Sequence, residues 1–244
     1  VIKIAILILT LAITGICEAR VFDLAKEKFG SYLLFSAQQS NLKDTPMSLL
    51  TAANTFSDAY ANPVGGEFGF MYEKGHIGFR FGFEVMKPAP VEGYAKAGSV
   101  YKYYYKDNTT ALAPKMAMEI NFKTGSWYRF LGYGYYGQAS LTETTDYSGL
   151  VISPNVDHTV NAKSSAAMYG GGLAMELSIF DTTTLMIEGG YKQLKFTNIS
   201  YGKDITTFDG AHQSGDTIKN QDLTNHEIDM TGAYVVVGFR FYLF

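Results

Sequence analysis

Four histidines, His76, His158, His212 and His226, are the side chains of this 244-residue chain best placed for proton transfer near neutral pH. Three have neighbours that could complete a hydrolytic group. His158 follows Asp157, His212 precedes Ser214 and Asp216, and His226 precedes Glu227. Such chemistry needs a nucleophile, a base and an orienting acid within hydrogen-bond reach of one another. Each of these sets lies in a run rich in Asn, Asp, Ser, Thr and Gly, with no flanking motif, and His76 sits in a short turn. No two histidines have ligand spacing on one strand or helix. The run Gly170-Gly-Gly172 lies inside a strand pattern, so it is not a phosphate-cradling loop. The sequence therefore designates no catalytic, metal-binding or cofactor-binding residue, and the expectation is a protein that is not an enzyme.

A second set of chemical groups is more regular. Charged residues occupy every second or fourth position of segments whose other face is large and apolar. In one segment Ile77, Phe79, Phe81, Phe83 and Val85 oppose Gly78, Arg80, Gly82 and Glu84. In another, Met116, Met118, Ile120 and Phe122 oppose Ala117, Glu119 and Asn121. Leu173, Met175, Leu177 and Ile179 oppose Gly172, Ala174, Glu176 and Ser178. Near the end Val235, Val237, Phe239, Phe241 and Leu243 oppose Tyr234, Gly238, Arg240 and Tyr242. Period two is the signature of a strand with two unlike faces. Glu73, Glu188 and Lys192 join the charged face. Five large apolar residues without a polar break span about 9–11 positions, the height of a tilted strand in hydrocarbon.

These faces need elements to position them. Eight segments of period two are predicted at about 31–40, 65–74, 76–87, 115–123, 126–143, 165–180, 183–200 and 227–243. Their links alternate. Glu73-Lys-Gly-His76, Lys123-Thr-Gly-Ser126 and Asp181-Thr-Thr-Thr184 are tight, and the first two hold glycine where a hairpin needs positive φ. The links 41–64, 88–114, 144–164 and 201–226 are long and polar. In the first, Thr45-Pro46 reads as a helix N-terminus, with Leu49, Ala53, Phe56 and Tyr60 on one face of a helix over 46–60. The segment at 126–143 carries aromatics on both faces, so its orientation stays open.

Composition agrees with a wall between oil and a polar interior. Hydrophobic residues make up 47%, yet the mean hydropathy is −0.01, so apolar and polar residues are interleaved. Aromatics make up 15%, almost all Tyr and Phe, as interface girdles require. A net charge of −3 argues against a nucleic-acid partner. Residues 1–19 read as a signal peptide: Lys3, an apolar run over 4–16 too short to span a membrane, then Cys17-Glu18-Ala19 as a small-x-small cleavage site. Ile16 is too bulky for lipid attachment at Cys17. Residues 20–30 read as a periplasmic arm and 31–244 as one barrel. No later apolar run is long enough for a helix, so membrane residence requires a closed sheet. A soluble sandwich would need eight separate segments to leave the same side wet.

An eight-stranded barrel is just wide enough for its own side chains to fill. Arg80, Glu84, Glu119, Glu176, Glu188, Lys192 and Arg240 are therefore expected to pair as a lattice in the lumen. Ile77, Phe79, Phe81, Phe83, Val85, Met118, Ile120, Leu173, Leu177, Val237, Phe239 and Phe241 are expected to face lipid.

The strand pattern, the alternating link lengths, the girdle aromatics and the aromatic Phe244 behind an alternating strand resemble small eight-stranded outer-membrane β-barrels of the OmpA, OmpX and OmpW type. The resemblance implies an up-and-down antiparallel transmembrane barrel in a bacterial outer membrane, with short periplasmic turns, long extracellular loops and both termini periplasmic. It implies outer-membrane lipids and the barrel-insertion machinery as partners, with Phe244 as the assembly signal. It implies no single activity. A structural or surface-interaction barrel with an unidentified surface ligand is the first reading. A porin-like narrow channel or a route for apolar solutes is the second, and a self-associating, lipid-containing homo-oligomer is the third.

Overall fold

The computed structural model describes residues 22–40, 42, 54–55, 62–97, 99–149, 155–207, 210–220 and 223–243. Eight strands carry the fold: β1 (Phe29–Ser40), β2 (Val64–Lys74), β3 (Ile77–Lys87), β4 (Val100–Thr124), β5 (Tyr128–Ser148), β6 (Thr159–Phe180), β7 (Thr183–Phe196) and β8 (Gly232–Leu243). Each pairs antiparallel with its sequence neighbours, and β1 pairs with β8 from Phe29↔Leu243 to Ser40↔Gly232. The sheet is closed, and within the ring closure leaves no exposed edge.

Local chemistry sets the hairpins. Gly75 has a φ of +64° in the turn between β2 and β3, a conformation that costs glycine nothing. Between β4 and β5, Gly125 N donates to Tyr128 O at 2.8 Å. Along β3 the alternation is complete: Phe81 is 54% exposed and Arg80 1%. Branched and aromatic residues on one face, with glycines and charges on the other, satisfy a pleated wall whose two sides meet different surroundings.

The strands differ in length, and the difference shapes the molecule. β1, β2, β3 and β8 have 11 or 12 residues, whereas β4, β5 and β6 have 25, 21 and 22. A tilted strand needs about 9–11 residues to cross hydrocarbon, so β4–β6 run on past the rest. The strand Val91–Ala97 pairs with the extension of β4, and Asn54–Thr55 pairs with Lys96 and Ala97. Ser200–Tyr201 pairs with β6, Ile228–Asp229 pairs with β7, and Ile205–Thr207 and Gly210–His212 form a small hairpin. Together these pieces cap one end of the barrel. The cap has its own core, with Val160, Phe196, Ile199, Tyr201, Ile218 and Ile228 buried in it.

Several expectations change here. Most of the span 88–114 is strand rather than loop, because residues 100–110 are chiefly aromatic, β-branched or polar and continue the pairing of β4. Within the span 201–226, Ile205–Thr207 and Gly210–His212 are strand, and Ile205 and Ile218 are buried. Asn54–Thr55, inside the predicted helix at 46–60, is strand, and the rest of that helix lies outside the described residues. The seventh segment ends at Phe196 and the eighth starts at Gly232. Residues 1–19, read as a signal peptide, and Phe244 also lie outside the described residues. Residues 22–28 fold into the barrel's other mouth, where Leu24 is fully buried and Leu24 N donates to Ser126 O.

Candidate functional site

The lumen is built from the inward positions of all eight strands. Nearest the mouth closed by Leu24, Arg129 on β5 donates to Glu73 at 2.5 Å, to Glu176 at 3.1 Å and to the backbone oxygen of Leu24 at 2.7 Å. Arg240 on β8 donates to Glu176 at 3.0 Å and to Glu119 at 2.5 Å. Glu176 also accepts from Thr184 and from Tyr242, at 2.5 and 2.6 Å. In the middle, Arg80 lies 2.8 Å from Glu119 and 2.5 Å from Glu188, and its guanidinium lies over Tyr133 and Tyr32. Toward the cap, Lys115 lies 2.6 Å from Glu67 and 2.9 Å from Glu84, and Lys192 also bonds Glu84.

These bonds cross the barrel. Arg80–Glu188 ties β3 to β7, Arg240–Glu119 ties β8 to β4, and Arg129–Glu73 ties β5 to β2. Charges removed from water are tolerated only with such partners, since a lone buried ion costs several kcal/mol. Glycine makes two of the bulky contacts possible. A Cβ at Gly82 would stand 2.3 Å from the Tyr32 hydroxyl, and one at Gly190 would stand 2.8 Å from that of Tyr234. The void among Glu67, Glu84, Lys115 and Lys192 measures about 10 Å³, at most the size of one water.

All seven charges singled out in the sequence, Arg80, Glu84, Glu119, Glu176, Glu188, Lys192 and Arg240, are buried and point inward. Sequence reasoning missed Lys115, Arg129 and Glu67. Lys115 and Glu67 share the phase of Glu119 and Glu73, so extending each pattern by one or two turns of the pleat would have found them. Arg129 was hidden by the two-sided aromatics of β5, which the fold now orients: Tyr133 and Tyr135 are inside, Phe130 and Tyr136 outside.

On the outer wall Ile77, Phe79, Phe81, Phe83 and Val85 of β3, Met118 and Ile120 of β4, Leu173 of β6, and Val237, Phe239 and Phe241 of β8 are exposed, while Leu177 is half-buried. Tyr136, Tyr169 and Tyr191 stand outward on adjacent strands, with Tyr136 and Tyr169 directly paired. Beyond Tyr136 the outward residues of β5 become Gln138, Ser140, Thr142, Thr144 and Asp146. At the opposite end Phe122, Trp127 and Phe180 are exposed.

Among the described residues the cap buries an ionisable cluster. His226, 1% exposed, places Nε2 3.2 Å from both carboxylate oxygens of Glu143 on β5. Asp107 on β4 accepts from Thr145 at 2.5 Å and from Thr109 at 3.0 Å. Burial opposes the charged form of His226, but Glu143, with Asp107 and Glu227 beyond it, outweighs that and holds its pKa above the usual imidazole value. The partner is thus Glu143, distant in sequence, and not the adjacent Glu227. His212 stacks on Tyr201 at 4.6 Å. No helix among the described residues is long and apolar enough to cross a membrane.

A closed eight-stranded antiparallel sheet with an apolar belt outside and paired ions inside is a transmembrane β-barrel of the small, side-chain-filled kind. No protein-family model matches the chain, and no curated protein is similar to it. Among solved structures it is similar to Ail, the attachment invasion locus protein of Yersinia pestis, at 9% identity and a TM-score of 0.47, covering 89% of this chain and 99% of that one. The same protein in complex with the heparin analogue sucrose octasulfate matches over the same shares at 9% identity and a TM-score of 0.45. At those values neither neighbour bears on what this chain binds.

Proposed function

We propose that this is a non-enzymatic integral protein of a bacterial outer membrane that works through its cap, as a surface-interaction barrel. The observation that carries the reading is the contrast between a filled lumen and a folded cap. Ions bonded across the barrel leave no continuous void among Glu67, Glu84, Lys115 and Lys192, which supports a structural lumen rather than a channel. Three strands meanwhile extend well past the apolar belt and carry an ordered cap. In this reading the tight turns and both termini are periplasmic, and the cap is extracellular. The exposed aromatics of β3 meet lipid acyl chains, and the charge lattice holds the wall round. The barrel-insertion machinery is the partner during assembly.

The test has two arms. The purified chain in planar bilayers is expected to give no steady current. Bacteria displaying it are expected to adhere to surfaces better than empty-vector cells, and to lose that gain when β4–β6 are shortened to end at the girdle tyrosines. A steady current, or adherence equal to the empty-vector control, would overturn the reading.

A further inference from the structure

On the outer face of the cap, three adjacent strands set two rows of side chains next to each other. Glu92 pairs with Lys106, and Lys106 with Asp146, so one row reads acid, base, acid across the sheet. Tyr94 pairs with Tyr104, and Tyr104 with Ser148, so the neighbouring row reads aromatic, aromatic, hydroxyl. The rows line a groove of about 650 Å³, within the usual size of small-ligand sites. Tyr104 is 46% exposed. Lys106 bonds Glu92, which holds the charged row in place along the groove. Lys96 lies over the Tyr94 ring at 4.7 Å.

The charges decide the class of ligand. Among the lining residues Glu92 and Asp146 supply two negative charges and Lys106 one positive, so the lining is net acidic. A sulfated or sialylated chain is repelled by that excess of negative charge. What the groove does offer is an aromatic face beside a row of carboxylate acceptors and ammonium donors. That combination suits a molecule with apolar C–H faces and a rim of hydroxyls, each of which donates and accepts.

We propose that this groove binds a neutral carbohydrate, with Tyr104 under a sugar face and Glu92, Lys106 and Asp146 at its hydroxyls. The inference rests on the reading of the cap as a binding surface and names its ligand class. The groove lies outside the apolar belt, so a bound glycan does not compete with lipid.

The test uses the full chain in nanodiscs on an array of neutral, sialylated and sulfated oligosaccharides. Neutral glycans are expected to bind. Tyr104→Ala is expected to weaken binding about tenfold, the loss of one ring face, while Tyr104→Phe retains it. Ser148→Trp, which fills the groove and leaves Tyr94 and Tyr104 in place, is expected to abolish it. Heat-modifiable mobility on a gel confirms that each variant is folded. Binding of sulfated glycans alone, no binding of neutral ones, or binding unchanged from the native chain in Tyr104→Ala and Ser148→Trp would overturn the proposal. If neutral glycans fail while displayed cells still adhere, the carbohydrate site alone falls. If adherence fails as well, the surface-interaction reading falls with it.

Discussion

A single strand, β5, contains two opposite solutions to the same problem. In its lower half Arg129, Tyr133 and Tyr135 point inward while Phe130 and Tyr136 point outward. In its upper half Leu141 and Tyr147 point inward while Thr142, Thr144 and Asp146 point outward or lie half-exposed. The phase of the pleat never slips, so each parity keeps its side of the sheet. What changes is the medium outside. Below Tyr136 the outside rewards apolar side chains and the inside must then take the polar ones. Above it the outward side chains are polar, and the inward positions combine the apolar Ala139, Leu141 and Tyr147 with the buried Glu143 and Thr145. The girdle tyrosines Tyr136, Tyr169 and Tyr191 stand where the two regimes meet. A strand that inverts its polarity without changing its register records where the bilayer ends.

That comparison can be broken most sharply in the lumen. Arg240 bonds Glu119 and Glu176 and is fully buried. Arg240→Ala leaves both carboxylates short of a cation, and the expected loss is about 3–5 kcal/mol, read from urea unfolding of the refolded protein in lipid vesicles. A change under 1 kcal/mol would mean that the lattice is not what holds the lower barrel. The wall comes next. Phe81→Arg puts a charge in the middle of the apolar belt and is expected to cost about 2–4 kcal/mol by the same measurement. Thr142→Arg, with the same outward parity on β5 but above the girdle, is expected to change stability by no more than about 0.5 kcal/mol. Equal costs at the two positions would erase the inferred boundary.

How much of this was legible in the residues follows from where period two has a single meaning. β3 could be read outright, since every position of 77–85 sorts cleanly into large apolar or glycine and charge. β8 could be read for the same reason. β5 could not, because Tyr suits both environments: its ring packs inside against Arg80, and its hydroxyl reaches water at the girdle outside. The cap was invisible as structure for a related reason. Residues 100–110 and 201–226 are rich in Tyr, Thr, Asn and Asp, which serve equally in loops and in half-wet strands. Only the long-range contacts among Val160, Phe196, Ile199 and Ile218 decide between them. Of the histidines, the neighbour Glu227 was visible and the true partner Glu143, 83 positions away, was not. Pairing across that distance is written in the fold alone.

The smallest expected effect concerns that pair, where the cap breaks its own rule by burying ions. His226 lies against Glu143 of β5, with Asp107 of β4 and Glu227 of its own segment also acting on it. Burial disfavours the imidazolium, yet the carboxylates raise the folded pKa above the unfolded value of about 6.5. A raised pKa means that the pair's contribution is fully present below about pH 6.5 and is lost as pH climbs through the folded value. The segment 213–229 should therefore be better protected from hydrogen exchange at about pH 6 than at about pH 9, after correction for intrinsic exchange. The difference is expected in the cap alone, with the lumen strands unchanged. His226→Gln keeps a hydrogen-bonding group but cannot take up the proton, so its protection should be flat with pH. Protection that rises with pH in the native chain, or a Gln variant with the same slope, would show that the cap is held by its apolar core and that the buried ion pair contributes nothing to its docking.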